Sequence, residues 1–137
     1  MVAALAAVVA CGGSSHPPPA AQARAVVQGF YTDIADGQGA RACALLTPAA
    51  QAEIVRPLRG LASGHGLDCE TLLRDFSQGE TKFLREVKVG PASVKGDRAT
   101  VVVTVPDQSL GYAPLVRTPA GWRISHIITS VRKPIEG

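Results

Sequence analysis

The sequence is poor in aromatic residues and in charge, and it contains no Asn. Aromatic side chains make up 4% and charged side chains 18% of the 137 residues. So few aromatics exclude the stacking platforms on which proteins bind single-stranded nucleic acids. The 14 Lys and Arg exceed the 11 Asp and Glu only slightly and are dispersed along the chain. We therefore expect no nucleic-acid partner, because binding a phosphate backbone needs a contiguous basic face.

The sequence motifs of several large enzyme classes are also missing. The chain has no phosphate-binding Gly-x-x-x-x-Gly-Lys loop, no Gly-x-Ser-x-Gly elbow and no His-Glu-x-x-His motif. It has no Cys-x-x-Cys pair, and His16, His65 and His126 are far apart in the sequence. We expect no metal site and no cofactor, because a metal needs several ligands that converge on one point.

What is present suits one globular domain. Apolar residues make up 46% of the chain, and 137 residues are enough for a domain with its own core. This composition excludes general disorder, collagen-like repeats and coiled coils.

The N-terminal segment predicts export and a lipid anchor. Residues 1–10, MVAALAAVVA, are an apolar run about half as long as a transmembrane helix, the length of the apolar part of a secretory signal. With Cys11 directly behind it, this run resembles the lipobox of bacterial lipoproteins, although no basic residue precedes it. The resemblance implies that residues 1–10 are removed and that Cys11 carries diacylglycerol. The alternative is a buried apolar N-terminus with an unmodified Cys11.

Residues 11–21 combine Gly and Ser with three Pro and predict a spacer that connects Cys11 to the domain. We expect the domain over residues 22–130 and a C-terminal tail over residues 131–137. The protein would lie on the extracytoplasmic face of the cell membrane or be secreted in soluble form. In that oxidising compartment Cys43 and Cys69 can form a disulfide. The alternative is two buried free thiols.

Helical patterns fill the first half of the domain. An apolar stripe with helical period predicts an amphipathic helix over residues 20–36. A short helix follows over residues 41–46. Thr47 before Pro48 and Asp68 before an apolar run predict the starts of two more helices.

Antiparallel strands are predicted from residue 84 onward, where the apolar period changes to two. Gly96 predicts the turn of one hairpin, and residues 118–121 predict the turn of a second, whose last strand extends over residues 122–129. Helices followed by an antiparallel sheet that wraps the long first helix predict an α+β domain.

The order of these segments resembles the NTF2-like (SnoaL-like) superfamily, especially small secreted actinobacterial members with a paired cysteine. The resemblance covers residues 22–129 and rests on the segments ARAVVQGFYTDIADG, ACALLTP, CETLL, VKGDRATVVV and GWRIS. It implies a cone, in which a strongly curved sheet and helices enclose a pocket. Some members are isomerases or dehydratases, and many bind a ligand or partner without catalysis. Many relatives form dimers through the sheet face.

Three residues are candidates for catalysis. His126 would share a strand face with Trp122 and Ile124, while Tyr31 lies on the apolar stripe of the first helix and Asp33 at its edge. A pocket enzyme of the isomerase or dehydratase type would use His126 as acid or base, assisted by Asp33 or Tyr31. Each residue also has a structural interpretation, as a rim histidine, a solvated carboxylate or a core aromatic.

Two functions remain open at this point, and we favour the first. It is a lipid-anchored, non-enzymatic domain that binds a small apolar ligand or a protein partner through its pocket or its sheet face. Tyr31, Trp122 and His126 are the candidate pocket residues, and the sheet face could also pair two copies of the chain. The second function is the pocket enzyme.

Overall fold

The computed structural model describes residues 17–56, 68–79, 81–106, 110–127 and 129–130. Within them, helices come first and an antiparallel sheet follows, which confirms the predicted α+β class. The predicted signal-like run, Cys11 and the C-terminal tail lie outside the described residues. None of the described helices is both long enough and apolar enough to cross a membrane.

The described helices and strands follow the predicted order, but the prediction of strands from residue 84 onward was wrong for residues 84 and 85. They belong to a short helix that was not predicted, and the first strand begins at Lys88. The helices are α1 (Pro19–Ala35), α2 (Gly39–Ala44), α3 (Pro48–Val55), α4 (Cys69–Phe76) and α5 (Lys82–Arg85). The strands are β1 (Lys88–Lys95), β2 (Arg98–Thr104), β3 (Leu110–Thr118), β4 (Gly121–Ile124) and β5 (Thr129–Ser130).

Local signals in the sequence set most of the helix starts. The Thr47 hydroxyl accepts a hydrogen bond from the Ala50 amide at 3.2 Å, and the Asp68 carboxylate accepts one from the Thr71 amide at 2.8 Å, which confirms both predicted caps. Helix α1 begins at Pro19, so the last three residues of the predicted spacer 11–21 belong to its first turn. Proline suits this position because its fixed φ is helical and no amide is needed there.

Helix α1 packs its apolar stripe against one face of the sheet, and this contact forms the core. It contacts β1, β2 and β4. The buried residues of the helix follow the predicted stripe: Ala23, Val27, Phe30, Tyr31, Ile34 and Ala35. They meet the apolar residues of the strands, among which Val101, Val103, Leu115 and Ile124 are almost completely buried.

Helices α2 and α4 are held together by the Cys43–Cys69 disulfide, which confirms the predicted pairing. The close approach of the same helices also requires Gly39. A Cβ atom at this position would lie 2.3 Å from the Glu70 carbonyl oxygen and 2.8 Å from the Arg74 amide nitrogen. Only glycine therefore fits where the start of α2 meets α4.

The sheet is a meander with strand order β1-β2-β3-β4, and β5 also pairs with β3. Gly96 lies between β1 and β2 with a φ of 58°, a conformation that glycine adopts at no steric cost. This confirms the first predicted hairpin. The second turns at residues 119–120, between Thr118 and Gly121, as predicted.

The last strand differs from the prediction of a continuous strand over residues 122–129. Strand β4 ends at Ile124, and β5 resumes at Thr129. Leu115 pairs with Ile124, and Tyr112, three residues earlier in β3, pairs with Thr129, five residues after Ile124. The segment between β4 and β5 therefore contains two more residues than the stretch of β3 opposite it.

Side chains and backbone outside the meander form hydrogen bonds with both of its edges. At the β1 edge, the Arg24 guanidinium donates to the Gly90 carbonyl at 2.8 Å and the Val89 carbonyl at 3.4 Å, where a register shift interrupts the pairing of β1 with β2. At the β4 edge, the Ile124 amide donates to the Leu45 carbonyl at 2.8 Å, and the Thr47 amide donates to the Ile124 carbonyl at 2.9 Å. These bonds occupy edge groups that could otherwise pair with a strand of another molecule.

We predict that Arg24→Met destabilises the domain by about 1 kcal/mol, since the two carbonyls lose a charged donor but remain open to water. Urea unfolding measures this change, and light scattering measures association through the β1 edge. Arg24→Lys is the matched control, because it keeps the charge but lacks the forked donor, so we expect an intermediate loss. An unchanged urea midpoint in Arg24→Met would show that Arg24 does not support this edge.

Candidate functional site

The two faces of the sheet differ sharply in burial, and this difference defines the candidate site. The inner face, against α1, carries the buried residues of β2, β3 and β4. The side chains that alternate with them point to the opposite side, which we call the outer face. In the described part of the chain, no outer-face side chain of β1 to β4 is buried.

The centre of the outer face is mainly apolar. Val102 lies directly opposite Tyr112, and Thr100 lies opposite Pro114. Tyr112 is 39% exposed, which makes it one of the exposed large hydrophobic residues of the domain. Short branched side chains and a proline lose little conformational freedom when another surface covers them. An apolar centre of this kind is typical of a protein-binding surface.

One end of the outer face carries a row of cations. Cross-strand pairing places Lys95 opposite Arg98, Arg98 opposite Val116, and Val116 opposite Arg123. We call Lys95, Arg98 and Arg123 the cationic row. None of the three forms an ion pair within the described residues. The only charge that the turn between β1 and β2 adds to this end is that of Asp97.

The structure places His126 in the looped-out segment after β4, not on the inner face with Trp122 and Ile124. Its side chain is 63% exposed, and its Nδ1 lies 2.9 Å from the Glu53 carboxylate of α3. The other Glu53 oxygen accepts a hydrogen bond from the Ile127 amide at 3.0 Å. These two hydrogen bonds lower the pKa of Glu53. Glu53 thus holds the loop that interrupts the last strand.

Asp33 lies at the edge of the buried stripe of α1, beside α2. It is two residues from Tyr31, about 200° around the helix, so the two side chains point in nearly opposite directions. Its carboxylate is 3.9 Å from Nε of Arg41 in α2. The two residues border an open groove of about 570 Å³ between α1 and α2, with Val26, Gly29 and Leu45 among its apolar lining.

Tyr31 is part of the core, as its position on the apolar stripe predicts. It is 8% exposed, and its ring packs edge-on against Phe30 with the centroids 5.6 Å apart. Burial raises the pKa of Tyr31 to about 12. The phenol therefore stays protonated at neutral pH and would act as a hydrogen-bond donor rather than as a base.

Trp122 lies on the inner face, where it is 2% exposed. The Arg117 guanidinium lies over its ring, with Cζ 4.7 Å from the centroid, in a cation–π contact. The buried indole N–H has no hydrogen-bond partner within the described chain. Of the three pocket candidates, Tyr31 and Trp122 therefore lie inside the domain, whereas His126 lies at its surface.

The described hydrogen bonds and ion pairs connect the catalytic candidates to different partners: His126 to Glu53, and Asp33 to Arg41. Neither Glu53 nor the cationic row was predicted from the sequence. The hairpin pattern could have predicted the row. Residues that alternate with the apolar Ala99 and Val101 must lie on the opposite face of the sheet, and Arg98 is one of them. Glu53 gave no such signal, since its partners are more than 70 residues away.

The comparisons with known proteins found no matching family model, curated protein or solved structure. The outer face and the pairings above are therefore the observations on which a function can be proposed.

We predict that Tyr31 makes the domain sensitive to alkali. The unfolded chain releases the phenol proton near pH 10 and the folded chain only near pH 12. Stability is thus fully present below pH 10 and falls by about 2 to 3 kcal/mol as the pH rises through this range. Urea unfolding from about pH 9 to pH 12 should show this additional fall in the native protein and not in Tyr31→Phe. Equal losses in both proteins would contradict the assignment.

Proposed function

We propose that this protein is a lipid-anchored, non-enzymatic binding module of the cell envelope that takes a protein partner on the outer face of its sheet. The observation that carries the proposal is the unburied outer face, with Val102, Tyr112 and Pro114 at its centre and cations at its end. An apolar centre with a charged rim is the usual anatomy of a protein interface.

The disulfide supports a place outside the cytoplasm. Cys43 and Cys69 are bonded, and structural disulfides persist mainly in oxidising compartments. This agrees with the export that residues 1–10 predict and with a lipid anchor at Cys11 on the extracytoplasmic face of the membrane.

We further propose that the domain is an NTF2-like cone. The long α1 against the sheet and the helices that precede an antiparallel meander support this assignment. The pairings of Asp33 with Arg41 and of His126 with Glu53 support a binding role over the pocket enzyme, because each candidate is engaged with a different group.

The outer face can be tested by photo-crosslinking in the host that makes the protein. We expect that benzoylphenylalanine in place of Tyr112, in the full chain, gives one adduct of defined mass. The control is the same substitution at Gln78, an exposed residue just after α4. No adduct at Tyr112, or the same adducts at both positions, would contradict the proposal.

The lipid anchor can be tested separately by detergent partitioning. We expect the mature protein to enter the detergent phase and the Cys11→Ser variant to remain in the aqueous phase, because one lipid-modified cysteine supplies the membrane affinity. Mass spectrometry of the native protein should then show a diacylglyceryl adduct on Cys11. Equal partitioning of both forms would rule out the anchor while leaving the binding face untouched.

A further inference from the structure

The charged side chains on the outer face of β1 to β4 are all cations. The outer-face side chains that carry charge on β1 to β4 are Lys88, Lys95, Arg98 and Arg123. The sequences of these strands contain no Asp or Glu at all. The face therefore presents a positive potential around its apolar centre, which the small net charge of the whole chain does not reveal.

One pair within this face works against folding. Lys95 and Arg98 are direct cross-strand partners at the end of the first hairpin, and like charges directly opposite one another destabilise a sheet. Neither side chain forms an ion pair within the described residues. Asp97 lies in the turn between them and forms an ion pair with neither in the described residues, whereas a partner that supplies carboxylates at the cationic row would remove the repulsion.

We infer that the partner of the outer face is a protein with an acidic surface, whose carboxylates meet the cationic row while its apolar side chains cover Val102, Tyr112 and Pro114. This inference rests on the proposed function and names the chemistry of its partner. A second copy of the chain fits this face poorly, because two cationic rows brought together would repel each other.

The distance between the cations of the row sets the distance between carboxylates that the acidic surface must provide. Neighbouring strands lie about 5 Å apart, so Arg98 and Arg123, two strands apart, have backbones about 10 Å apart. Two residues seven positions apart on a helix are also separated by about 10 Å along its axis. An amphipathic helix with Glu at that spacing, next to a stripe of Leu, is therefore a suitable probe.

The experiment titrates the full chain, labelled with ¹⁵N, with this Glu peptide and with the same peptide carrying Gln in place of Glu. We expect the Glu peptide to shift the amide signals of Arg98, Val116 and Arg123, and the Gln peptide to bind at least about tenfold more weakly. The double variant Lys95→Gln, Arg98→Gln should bind the Glu peptide more weakly than the native protein by about the same factor. Added salt should also lower the affinity for the Glu peptide, because the contact is electrostatic.

The matched control is Arg74→Gln with Lys82→Gln, which removes two exposed cations from α4 and α5. This pair changes the net charge equally, so we expect the affinity for the Glu peptide to stay within about twofold of the native value. Equal weakening by both pairs would mean that only the overall charge of the protein matters, and it would overturn the inference.

Other outcomes separate this inference from the proposed function. If both peptides bind the outer face equally and the cationic row has no effect, the face binds proteins without preferring acidic ones, which overturns the inference but leaves the proposed function in place. If neither peptide shifts these signals and Tyr112 gives no crosslink, both proposals fail.

Vesicles of phosphatidylglycerol that bind through the row while neither peptide does would assign the face to the membrane. Signals that change with protein concentration, together with a dimer in sedimentation equilibrium, would assign it to a second copy.

Discussion

The burial of one stripe of α1 against the inner face of the sheet is the contact on which the rest of the structure depends. Val27 and Ile34 on the helix, with Val101, Leu115 and Ile124 on the strands, belong to one continuous apolar cluster. Each fully buried side chain of this size contributes about 1.5–3 kcal/mol relative to an exposed one. Because the sheet has a single apolar layer against one helix, its inner and outer faces have different roles.

Contacts outside this apolar layer hold the other helices together and connect the helices to the edges of the sheet. The disulfide and the close approach at Gly39 hold α2 against α4, and the segment after α2 pairs with the edge of β4. Arg24 reaches from α1 to the opposite edge. With both edges engaged in this way, the outer face is the broad part of the sheet where a partner can bind. The acidic partner that we propose would account for the cations there and would remove the repulsion between Lys95 and Arg98.

Periodicity and local caps predicted the helices and hairpins because these signals act over a few residues. The stripe of α1, the caps at Thr47 and Asp68, and the turn at Gly96 follow from side-chain and backbone chemistry that is visible in the sequence. The break in the last strand could not be predicted in this way. At the break, Glu53 forms hydrogen bonds with His126 and Ile127, which are more than 70 residues away in the sequence. The apolar pattern of residues 122–129 does not indicate this contact. For the same reason the sequence suggested His126 as a pocket residue, whereas the structure places it at the surface.

The proposed function requires that the outer face is open to solvent in the free protein, and this can be measured directly. Hydroxyl-radical footprinting of the full chain, read by mass spectrometry, compares Tyr112 with Tyr31 and Trp122 in one sample. We predict rapid oxidation of Tyr112, which is 39% exposed, and protection of Tyr31 and Trp122, which are 8% and 2% exposed, until the protein unfolds. Protection of Tyr112 equal to that of Tyr31 would mean that the outer face is already covered within the chain or by a second copy, and it would contradict the central claim.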